Sequence, residues 1–268
     1  MRIAPAASAL LPRAMIALMA GVFAMALPFA AQAQDGKVTR IAVEGGFPPF
    51  NYLDAEQKLQ GFDVEIARAL CENAHLSCEF VMEKWEDMIP NLNADKYDAI
   101  VSSMSKSEER EKLVAFSNSY YNSPSVFVVR KQTEMPDFQS KSLGGLVMGV
   151  TLGTVQAAYV EQFFPDAKVT IFPSSPDLYK GLADGSIDVA FEDKLAIYDW
   201  LTNTKAGGCC EFKGADIIDP KYFGDGAGIA LRKSDNELRE KLNTALATIT
   251  GDGTYDAINA KYFPFSIR

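Results

Sequence analysis

Short apolar segments alternate with amphipathic ones along most of the chain after residue 38. The segments TRIAVEG (39–45), CEFVM (78–82) and YDAIVSS (97–103) have the length and composition of buried strands. Between them, FDVEIARALCENA (62–74) and residues 85–92 carry apolar side chains at helical spacing. Because strands that alternate with helices form mainly parallel sheets covered by helices, this part of the chain predicts an α/β fold.

The pattern restarts in the second half of the chain. Strands are predicted at LVMGVTLG (146–153), KVTIFP (168–173) and IDVAFED (187–193), with helices between them. The segments LNADKYDAIVSS (92–103) and LADGSIDVAFED (182–193) both read as a helix end, a polar turn and a strand. This weak internal similarity predicts two lobes of related design.

The last part of the chain has no partner within the second set of elements. GAGIALRK (226–233) predicts one more strand, followed by helices over 235–249 and around 254–262. We therefore expect this segment to return to the first lobe. A chain that crosses twice between two lobes produces a hinge and a cleft.

The N-terminus has the pattern of a secretory signal peptide. Arg2 and Arg13 precede and border an apolar run over residues 14–30, and Ala31-Gln32-Ala33 forms a small-x-small cleavage pattern. The run is shorter than the roughly 20 residues that a bilayer span needs. We expect removal of residues 1–33, with cleavage near Ala33, and a mature protein outside the cytoplasm.

The chain is acidic. It has 26 basic and 35 acidic residues, and loss of Arg2 and Arg13 leaves 24 and 35, a net charge of −11. Nucleic acids and anionic membranes bind basic surfaces, so neither is an expected partner. About 235 residues would remain, which is enough for one large or two small domains. We expect a monomer without a cofactor.

Four cysteines fall into two close pairs. In an oxidising compartment, Cys71 and Cys78 predict a disulfide that closes a short loop. Cys71, His75 and Cys78 also have helical spacing and could hold zinc, but that site would need a fourth ligand. The adjacent pair Cys209 and Cys210 could form a bridge or two free thiols.

Polar residues follow the predicted strands at the edge where ligands bind in parallel α/β sheets. These positions are Glu44, Ser102 to Ser105, Thr151 to Gln156, and Glu192 with Asp193. Each puts hydrogen-bonding groups where a buried sheet would otherwise be apolar. The expected ligand site is therefore the cleft between the lobes.

Arg110 and Asp193 have the charges that an α-amino acid requires. A guanidinium binds a carboxylate through two hydrogen bonds, and Ser105 could add a hydroxyl donor. Asp193 could accept the ligand ammonium from the other lobe, so one amino acid would bridge both lobes. The alternative for Arg110 is a surface ion pair with Glu108 or Glu111. The alternative for Asp193 is a helix N-cap, which is compatible with ligand binding.

Three further positions bear on ligand choice. Glu44 lies in a Gly/Pro/Phe loop, where its carboxylate could pair with a cationic side chain or simply be exposed. Phe47 and Trp85 could sandwich a guanidinium or a long aliphatic chain. Trp85 could instead pack on the apolar face of its own helix.

Several motifs together resemble one known family. They are GFDVEIARALC, DAIVSSMSKSEER followed by VAFS, GVTLGTVQ, DVAFED and GDGTYDAINAKYF. In this order they resemble the periplasmic solute-binding proteins of ABC importers for polar amino acids, over essentially the whole mature chain. The similarity is greatest to the histidine, lysine/arginine/ornithine and opine binders.

The resemblance implies the type II periplasmic binding protein fold, in which two α/β lobes with parallel-rich sheets are joined by two hinge strands. It places residues 38–122 and 226–268 in lobe 1 and residues 123–225 in lobe 2. It further implies capture of a cationic amino acid or an arginine-derived opine, and delivery to a membrane permease without chemistry. The Cys71–Cys78 spacing is similar to a disulfide of the basic amino acid binders.

The family's ligand contacts carry over to matching positions in this chain. Arg110 and Ser105 resemble the carboxylate clamp, assisted by the backbone near Thr154, and Asp193 with the Ser103 region resembles the ammonium site. Further implied contacts are Phe47 and Trp85 as walls, Glu44 and Ser102 as distal acceptors, and Gln156 in the second lobe. Glu44 and Trp85 replace an Asp and an aliphatic residue of many relatives and look more like opine binders. Val155 replaces a Thr of the clamp.

Two other functional classes fit the same fold. A prephenate or arogenate dehydratase would need a general acid in the cleft, for which Glu44 or Glu192 is a candidate. Such an enzyme could not rely on histidine, because the single histidine, His75, lies near the cysteine pair. A sensor domain would have to signal through a partner, because no transmembrane or kinase segment follows Arg268.

Overall fold

The computed structural model describes residues 37–133, 143 and 145–268. The predicted signal peptide, residues 1–33, lies outside this part of the chain. None of the helices within the described residues combines the length and the hydrophobicity that crossing a bilayer would require.

Thirteen strands and nine helices alternate along the described residues. The strands are β1 (Thr39–Val43), β2 (Gly46–Phe47), β3 (Asn51–Leu53), β4 (Leu59–Gln60), β5 (Cys78–Met82), β6 (Ala99–Ile100), β7 (Ala115–Tyr121), β8 (Ser125–Arg130), β9 (Val147–Thr151), β10 (Lys168–Phe172), β11 (Val189–Asp193), β12 (Cys210–Ile217) and β13 (Ala227–Leu231). The helices are α1 (Phe62–Asn73), α2 (Met88–Asn93), α3 (Glu108–Glu111), α4 (Val155–Phe163), α5 (Ser175–Asp184), α6 (Lys194–Asn203), α7 (Pro220–Phe223), α8 (Asn236–Gly251) and α9 (Thr254–Tyr262).

Most strands belong to two five-stranded sheets of matching design. The first has the order β5-β1-β6-β13-β7, the second has the order β10-β9-β11-β8-β12, and β2, β3 and β4 form a small third sheet. In each large sheet four strands run one way, while the fourth in order, β13 or β8, is antiparallel to both neighbours. We call the parts of the chain around the first and second sheets lobe 1 and lobe 2.

The chain passes between the lobes twice. It leaves lobe 1 after β7 and enters lobe 2 at β8, after the connection 122–124. It returns from β12 to β13, and α8 and α9 then pack on lobe 1, where Leu246 and Ile258 join the same core as Ile41 of β1. The lobe 2 core covers both faces of its sheet, with Phe127 on one face and Val128 on the other.

The alternating pattern identified the parallel strands better than the others. It did not predict the short strands β2, β3 and β4, nor β7, β8 and β12. Strand β7 mixes polar and aromatic residues and β12 is a half-exposed edge strand, whereas β8 is a buried apolar run, SVFVVR, to which the same pattern was not applied. The third predicted strand, 97–103, is reduced to β6, since Ser103 adopts a left-handed conformation with φ of 55° and turns the chain towards the cleft.

Each lobe contains the same arginine–aspartate anchor, which accounts for the internal sequence similarity. In lobe 1, Asp98 before β6 accepts hydrogen bonds from the Arg40 N–H at 2.9 Å and from Arg232 Nη2 at 3.2 Å. In lobe 2, Asp188 before β11 accepts hydrogen bonds from the Val147 N–H at 2.9 Å and from Arg130 Nη2 at 3.3 Å. Each anchor therefore fixes an antiparallel strand to the centre of its sheet.

The other terminal nitrogen of each arginine, Nη1, also makes corresponding hydrogen bonds in the two lobes. Arg232 Nη1 donates to the carbonyls of Leu92 and Tyr97 in lobe 1. Arg130 Nη1 donates to the carbonyls of Leu182 and Ile187 in lobe 2. These carbonyls occupy corresponding positions in the two similar sequence segments, 92–103 and 182–193. The similar segments therefore make the same contacts in the two lobes.

We expect the two anchors to differ in strength. Burial alone would raise the pKa of Asp98, but hydrogen bonds from Arg40 and Arg232 hold it well below its usual range. The Asp98 side chain is 4% exposed and that of Asp188 is 31% exposed. Asp98→Ala should lower the free energy of unfolding by about 2 kcal/mol, because the Arg40 N–H and both guanidinium groups lose a buried acceptor. The arginines keep only their ion pairs with the exposed Asp95 and, for Arg232, with Asp235.

Asp188→Ala is the matched control, with an expected loss of about 1 kcal/mol because solvent already screens its anchor. Urea unfolding of both variants measures the difference. Since the folded pKa of Asp98 is depressed, its contribution is present at neutral pH and is lost as the pH falls below about 4. An equal loss from both substitutions would contradict the expected ranking.

Both cysteine pairs are bonded. The predicted Cys71–Cys78 disulfide is confirmed, and it joins the end of α1 to the start of β5. Neither sulfur is therefore a thiolate that could bind zinc, and no cluster of three metal-binding side chains occurs among the described residues. Cys209 and Cys210, whose state the sequence left open, are bonded to each other.

Candidate ligand-binding site

The carboxyl ends of both sheets meet around one pocket, with a volume of about 490 Å³ including its opening to solvent. All ten predicted ligand contacts line it: Glu44, Phe47, Trp85, Ser102, Ser103, Ser105, Arg110, Thr154, Gln156 and Asp193. Four residues outside that prediction also line it: Thr151, Val155, Ser175 and Glu192. The structure thus brings the predicted residues of both lobes together.

Arg110 supplies a positive charge without an acidic partner among the described residues. Its Nη1 donates to the Ser105 carbonyl at 3.1 Å and its Nη2 to the Gly153 carbonyl at 3.2 Å. The alternative ion pair with Glu108 or Glu111 is wrong, since the guanidinium bonds to these carbonyls and to neither carboxylate. Desolvation by burial lowers the pKa of Arg110 to about 10, so the group remains cationic at neutral pH and can bind an anion.

The N-terminus of α4 lies beside this guanidinium. Thr154 caps the helix, because its hydroxyl accepts the Ala157 N–H at 3.1 Å. The N–H groups of Val155 and Gln156 have no acceptor within the described residues. Free N–H groups and the helix dipole favour an anion at such a terminus. The Ser105 hydroxyl makes no hydrogen bond to the described part of the chain either, which leaves it free to donate.

Asp193 provides the opposite charge from lobe 2. It caps α6, as predicted, with Oδ1 accepting the N–H groups of Leu195 at 2.9 Å and Ala196 at 3.0 Å. Oδ1 also accepts the Ser123 hydroxyl at 2.8 Å, whereas Oδ2 has no donor among the described residues. Burial raises the pKa of Asp193 to about 6. At neutral pH the free oxygen can therefore accept a hydrogen bond from a cation.

Ser103 is held from behind by a buried carboxylate. Its hydroxyl donates to Asp63 at 2.8 Å, and its N–H donates to the Tyr120 hydroxyl at 3.0 Å. Asp63 also accepts bonds from Tyr120 and Asn51, and Asn51 in turn accepts the Gly45 N–H. This network keeps Ser103 in its left-handed conformation and connects it to the loop that carries Glu44.

Glu44 is the acidic group of lobe 1 in the pocket. Its N–H donates to the Ser102 hydroxyl oxygen at 3.1 Å, which ties the loop to the end of β6. Burial, followed by the negative charges of Glu86 and Asp63, raises the pKa of Glu44 to about 7. A cation beside this carboxylate would favour its ionised form.

Two aromatic side chains complete the lobe 1 wall. Phe47 stacks on Phe50 with ring centroids 5.5 Å apart and is partly exposed to the pocket. Trp85 lies in a 3₁₀ turn, with the Arg110 guanidinium 5.0 Å from its ring centre. Its indole N–H donates across the cleft to the Gly153 carbonyl at 3.1 Å. The ring therefore contacts both lobes and does not only pack on its own helix.

Glu192 was placed at the ligand-binding edge from the sequence, but it was given a specific role only as a candidate catalytic acid. The residue is 2% exposed, and its carboxylate accepts hydrogen bonds from Thr151 at 3.3 Å, Ser175 at 3.0 Å and the Asp193 N–H at 2.8 Å. Burial raises its pKa to about 7. Ser175 begins α5 just after β10, so the same rule of polar residues after strand ends, applied to KVTIFP, would have found it.

The chain is similar in sequence to one family of known proteins and to individual members of it. Residues 39–265 match the bacterial extracellular solute-binding proteins, family 3. The L-arginine-binding protein of Pseudomonas aeruginosa is 36% identical over 233 residues, which are 86% of this chain and 90% of that protein. The histidine-binding periplasmic protein of Salmonella typhimurium is 36% identical over 230 residues, 85% of this chain and 88% of that protein.

A solved structure supports the fold. An ancestral arginine-binding protein bound to arginine superimposes with a TM-score of 0.76 and 32% identity, covering 84% of this chain and 98% of that one. The two-lobed α/β architecture predicted from the sequence is thereby confirmed.

Proposed function

Since the chain belongs to the bacterial extracellular solute-binding proteins, family 3, we propose that it captures a cationic amino acid between its lobes for delivery to the permease of an ABC importer. The family resemblance drawn from the motifs is confirmed by this membership. The family is one of binding proteins, so the polar groups of the pocket serve recognition and not a reaction. The prediction of a non-enzymatic protein is confirmed on the same ground.

One observation carries the proposal: a guanidinium without an acidic partner and an aspartate with one free oxygen, both among the described residues, line the same pocket from opposite lobes. The ligand carboxylate would bind Arg110, the Ser105 hydroxyl and the free N–H groups at the start of α4. The ligand ammonium would bind Oδ2 of Asp193 next to Ser103. Only a molecule that carries both a carboxylate and an ammonium group would bind the Arg110 side and the Asp193 side of the pocket together. This requirement favours an α-amino acid.

The charge of the pocket favours a cationic side chain. Its lining, within the described residues, contains three acidic side chains, those of Glu44, Glu192 and Asp193, against the single cation Arg110. Although the pKa values of Glu44 and Glu192 are about 7 and both are only partly ionised at neutral pH, the negative charge of the three together exceeds the positive charge of Arg110. The ammonium and the carboxylate of the ligand pair with one negative and one positive group of the pocket. The charge that remains in the pocket is negative, so a positive charge on the ligand side chain is favourable. We propose that Phe47 and Trp85 flank the ligand side chain, with Glu44 and Ser102 at its far end. The relatives described above bind arginine and histidine according to their names.

The finer expectations from the sequence are also part of the proposal. We include arginine-derived opines among the proposed ligands, because Glu44 and Trp85 stand where many relatives have an Asp and an aliphatic residue.

We also propose that the protein is exported, with cleavage near Ala33, and is a monomer in the periplasm. We propose that residues 38–122 and 226–268 form lobe 1 and that residues 123–225 form lobe 2. Mass spectrometry of the protein recovered from the periplasm tests the cleavage position.

A thermal-shift screen tests the proposed ligand class. Refolded mature protein is compared with arginine, ornithine, lysine, histidine, octopine, nopaline, neutral amino acids and prephenate. A ligand present at 1,000 times its Kd stabilises the native state by about 4 kcal/mol, or roughly 8 to 16 °C for a protein of this size. We expect that shift with at least one cationic compound. A shift only with prephenate, or with no amino acid, would contradict the proposal.

The pKa of Glu44 predicts how binding responds to pH. In the free protein this pKa is about 7, and a bound cation favours the ionised form, so binding below pH 7 must release a proton. Between pH 8 and pH 6, the arginine affinity relative to glutamine should therefore fall about tenfold. The ratio is used because Glu192 and Asp193 also titrate in this range and affect both ligands.

Calorimetric titrations at the two pH values measure this ratio. Buffers of different ionisation enthalpy count the protons released on binding. Glu44→Gln is the control, in which the ratio should not change with pH. A constant ratio in the unsubstituted protein would show that Glu44 does not pair with the ligand cation.

A further inference from the structure

A single carbonyl of lobe 2 accepts two hydrogen bonds from lobe 1. The Gly153 oxygen lies 3.1 Å from Trp85 Nε1 and 3.2 Å from Arg110 Nη2. Gly153 sits in the turn between β9 and α4, directly before Thr154, which lines the pocket. Trp85 and Arg110 belong to different segments of lobe 1, so this carbonyl joins three separate parts of the chain.

The two donors also support each other. The Arg110 guanidinium carbon is 5.0 Å from the centre of the Trp85 ring, a cation–π distance. The other end of the guanidinium donates to the Ser105 carbonyl within lobe 1. Trp85 and the two carbonyls therefore orient the plane of the guanidinium, and this orientation is complete only when the lobes are closed.

The position of the carbonyl requires glycine. Gly153 has φ of +69°, a conformation that side chains with a Cβ adopt rarely. A Cβ at this position would lie 3.4 Å from Cδ1 and Nε1 of the Trp85 indole. The left-handed turn is therefore what favours glycine in TLGT, whereas a methyl group would only make van der Waals contact with the indole.

We propose that Trp85 and Gly153 form a latch that prolongs the closed state by the same factor for every ligand. The proposal rests on the proposed function, and it gives the indole N–H of Trp85 a role in addition to that of its ring as a wall beside the ligand side chain. The indole N–H bonds to a protein carbonyl whichever solute is enclosed. The contribution of this hydrogen bond to ligand affinity therefore does not depend on the ligand side chain.

Trp85→Phe in the full mature chain isolates the latch, because it keeps an aromatic ring beside Arg110 and removes only the N–H and the second ring. We expect the affinities for arginine, lysine and glutamine to fall by a common factor of roughly 3 to 10, the effect of one hydrogen bond. The loss should appear in the dissociation rate, since the latch forms after encounter. Gly153→Ala should act in the same direction.

Two control variants separate a latch from a wall. Trp200→Phe alters the other tryptophan, which packs against Tyr179 in lobe 2 and does not line the pocket, and should leave all affinities unchanged. Phe47→Leu alters a pocket wall and should change the ratio of arginine to glutamine affinity. A Trp85→Phe variant that changes this ratio more than fivefold, or changes no affinity, would overturn the latch.

The titration of the unsubstituted protein tests the proposed function separately. If that protein binds no amino acid, the proposed function fails, and the latch is then judged by small-angle scattering. Wild type and Trp85→Phe are compared under identical conditions. A larger radius of gyration in the variant is the expected result, and identical profiles would overturn the latch.

Discussion

Arg110→Ala is expected to weaken the binding of every amino acid by about 2 to 5 kcal/mol, roughly 30- to 5,000-fold. Among the described residues the guanidinium is the only cation in the pocket lining, and both of its acceptors are backbone carbonyls that cannot neutralise it. Its removal leaves the ligand carboxylate with the Ser105 hydroxyl and the N–H groups of α4 alone. Calorimetric titration with arginine, lysine and glutamine measures the loss.

Two variants sharpen this test. Arg110→Lys keeps the charge but not the planar fork, so we expect an intermediate loss for all ligands. Glu108→Ala removes a neighbouring carboxylate that does not bond to the guanidinium, and should leave affinity unchanged. Normal binding by Arg110→Ala, or loss confined to cationic ligands, would show that Arg110 does not bind the carboxylate that all amino acids share.

Glu44→Gln is expected to weaken cationic amino acids by roughly 10- to 100-fold and to leave neutral ones unchanged. The substitution keeps the size of the side chain and the Glu44 N–H bond to Ser102, and removes only the charge. Glutamine is the natural comparison ligand for arginine, because the two share backbone groups and differ in the charge at the end. The ratio of their affinities is the quantity to measure.

Glu86→Gln is the matched control for Glu44. The Glu86 charge helps to raise the pKa of Glu44, but this carboxylate is exposed and does not line the pocket. Because solvent screens it, we expect less than a roughly twofold change in any affinity. Equal losses of arginine and glutamine binding in Glu44→Gln would assign that residue a structural role instead of a role in specificity.

The position of the pocket was predictable from the sequence because a simple rule governs it. Side chains that follow parallel strands meet at one sheet edge, so strand ends alone predict that Glu44, Ser102 and Asp193 lie near each other. The rule missed Ser175 only because it was not applied to the end of β10. Residue types and strand ends were therefore sufficient to find most of the lining.

Contacts between the lobes could not be predicted in the same way. The bond from Trp85 to Gly153 spans 68 residues and depends on the angle between two separately folded lobes. The strands β7 and β12 were missed because partly exposed or mixed polar strands lack a clear hydrophobic period. The bond between Cys209 and Cys210 depends on local backbone geometry, for which the sequence carries no pattern.

The paired arginine–aspartate anchors have a mechanical consequence. Arg130 belongs to the strand that enters lobe 2 from lobe 1, and Arg232 directly follows the strand that enters lobe 1 from lobe 2. Each lobe thus fastens the incoming strand to its own central strand, through an aspartate of that same lobe. We therefore expect the lobes to rotate as stiff bodies, with the torsion of closing on the connections 122–124 and 224–226. The second begins only after Phe223, because that residue packs in the lobe 2 core.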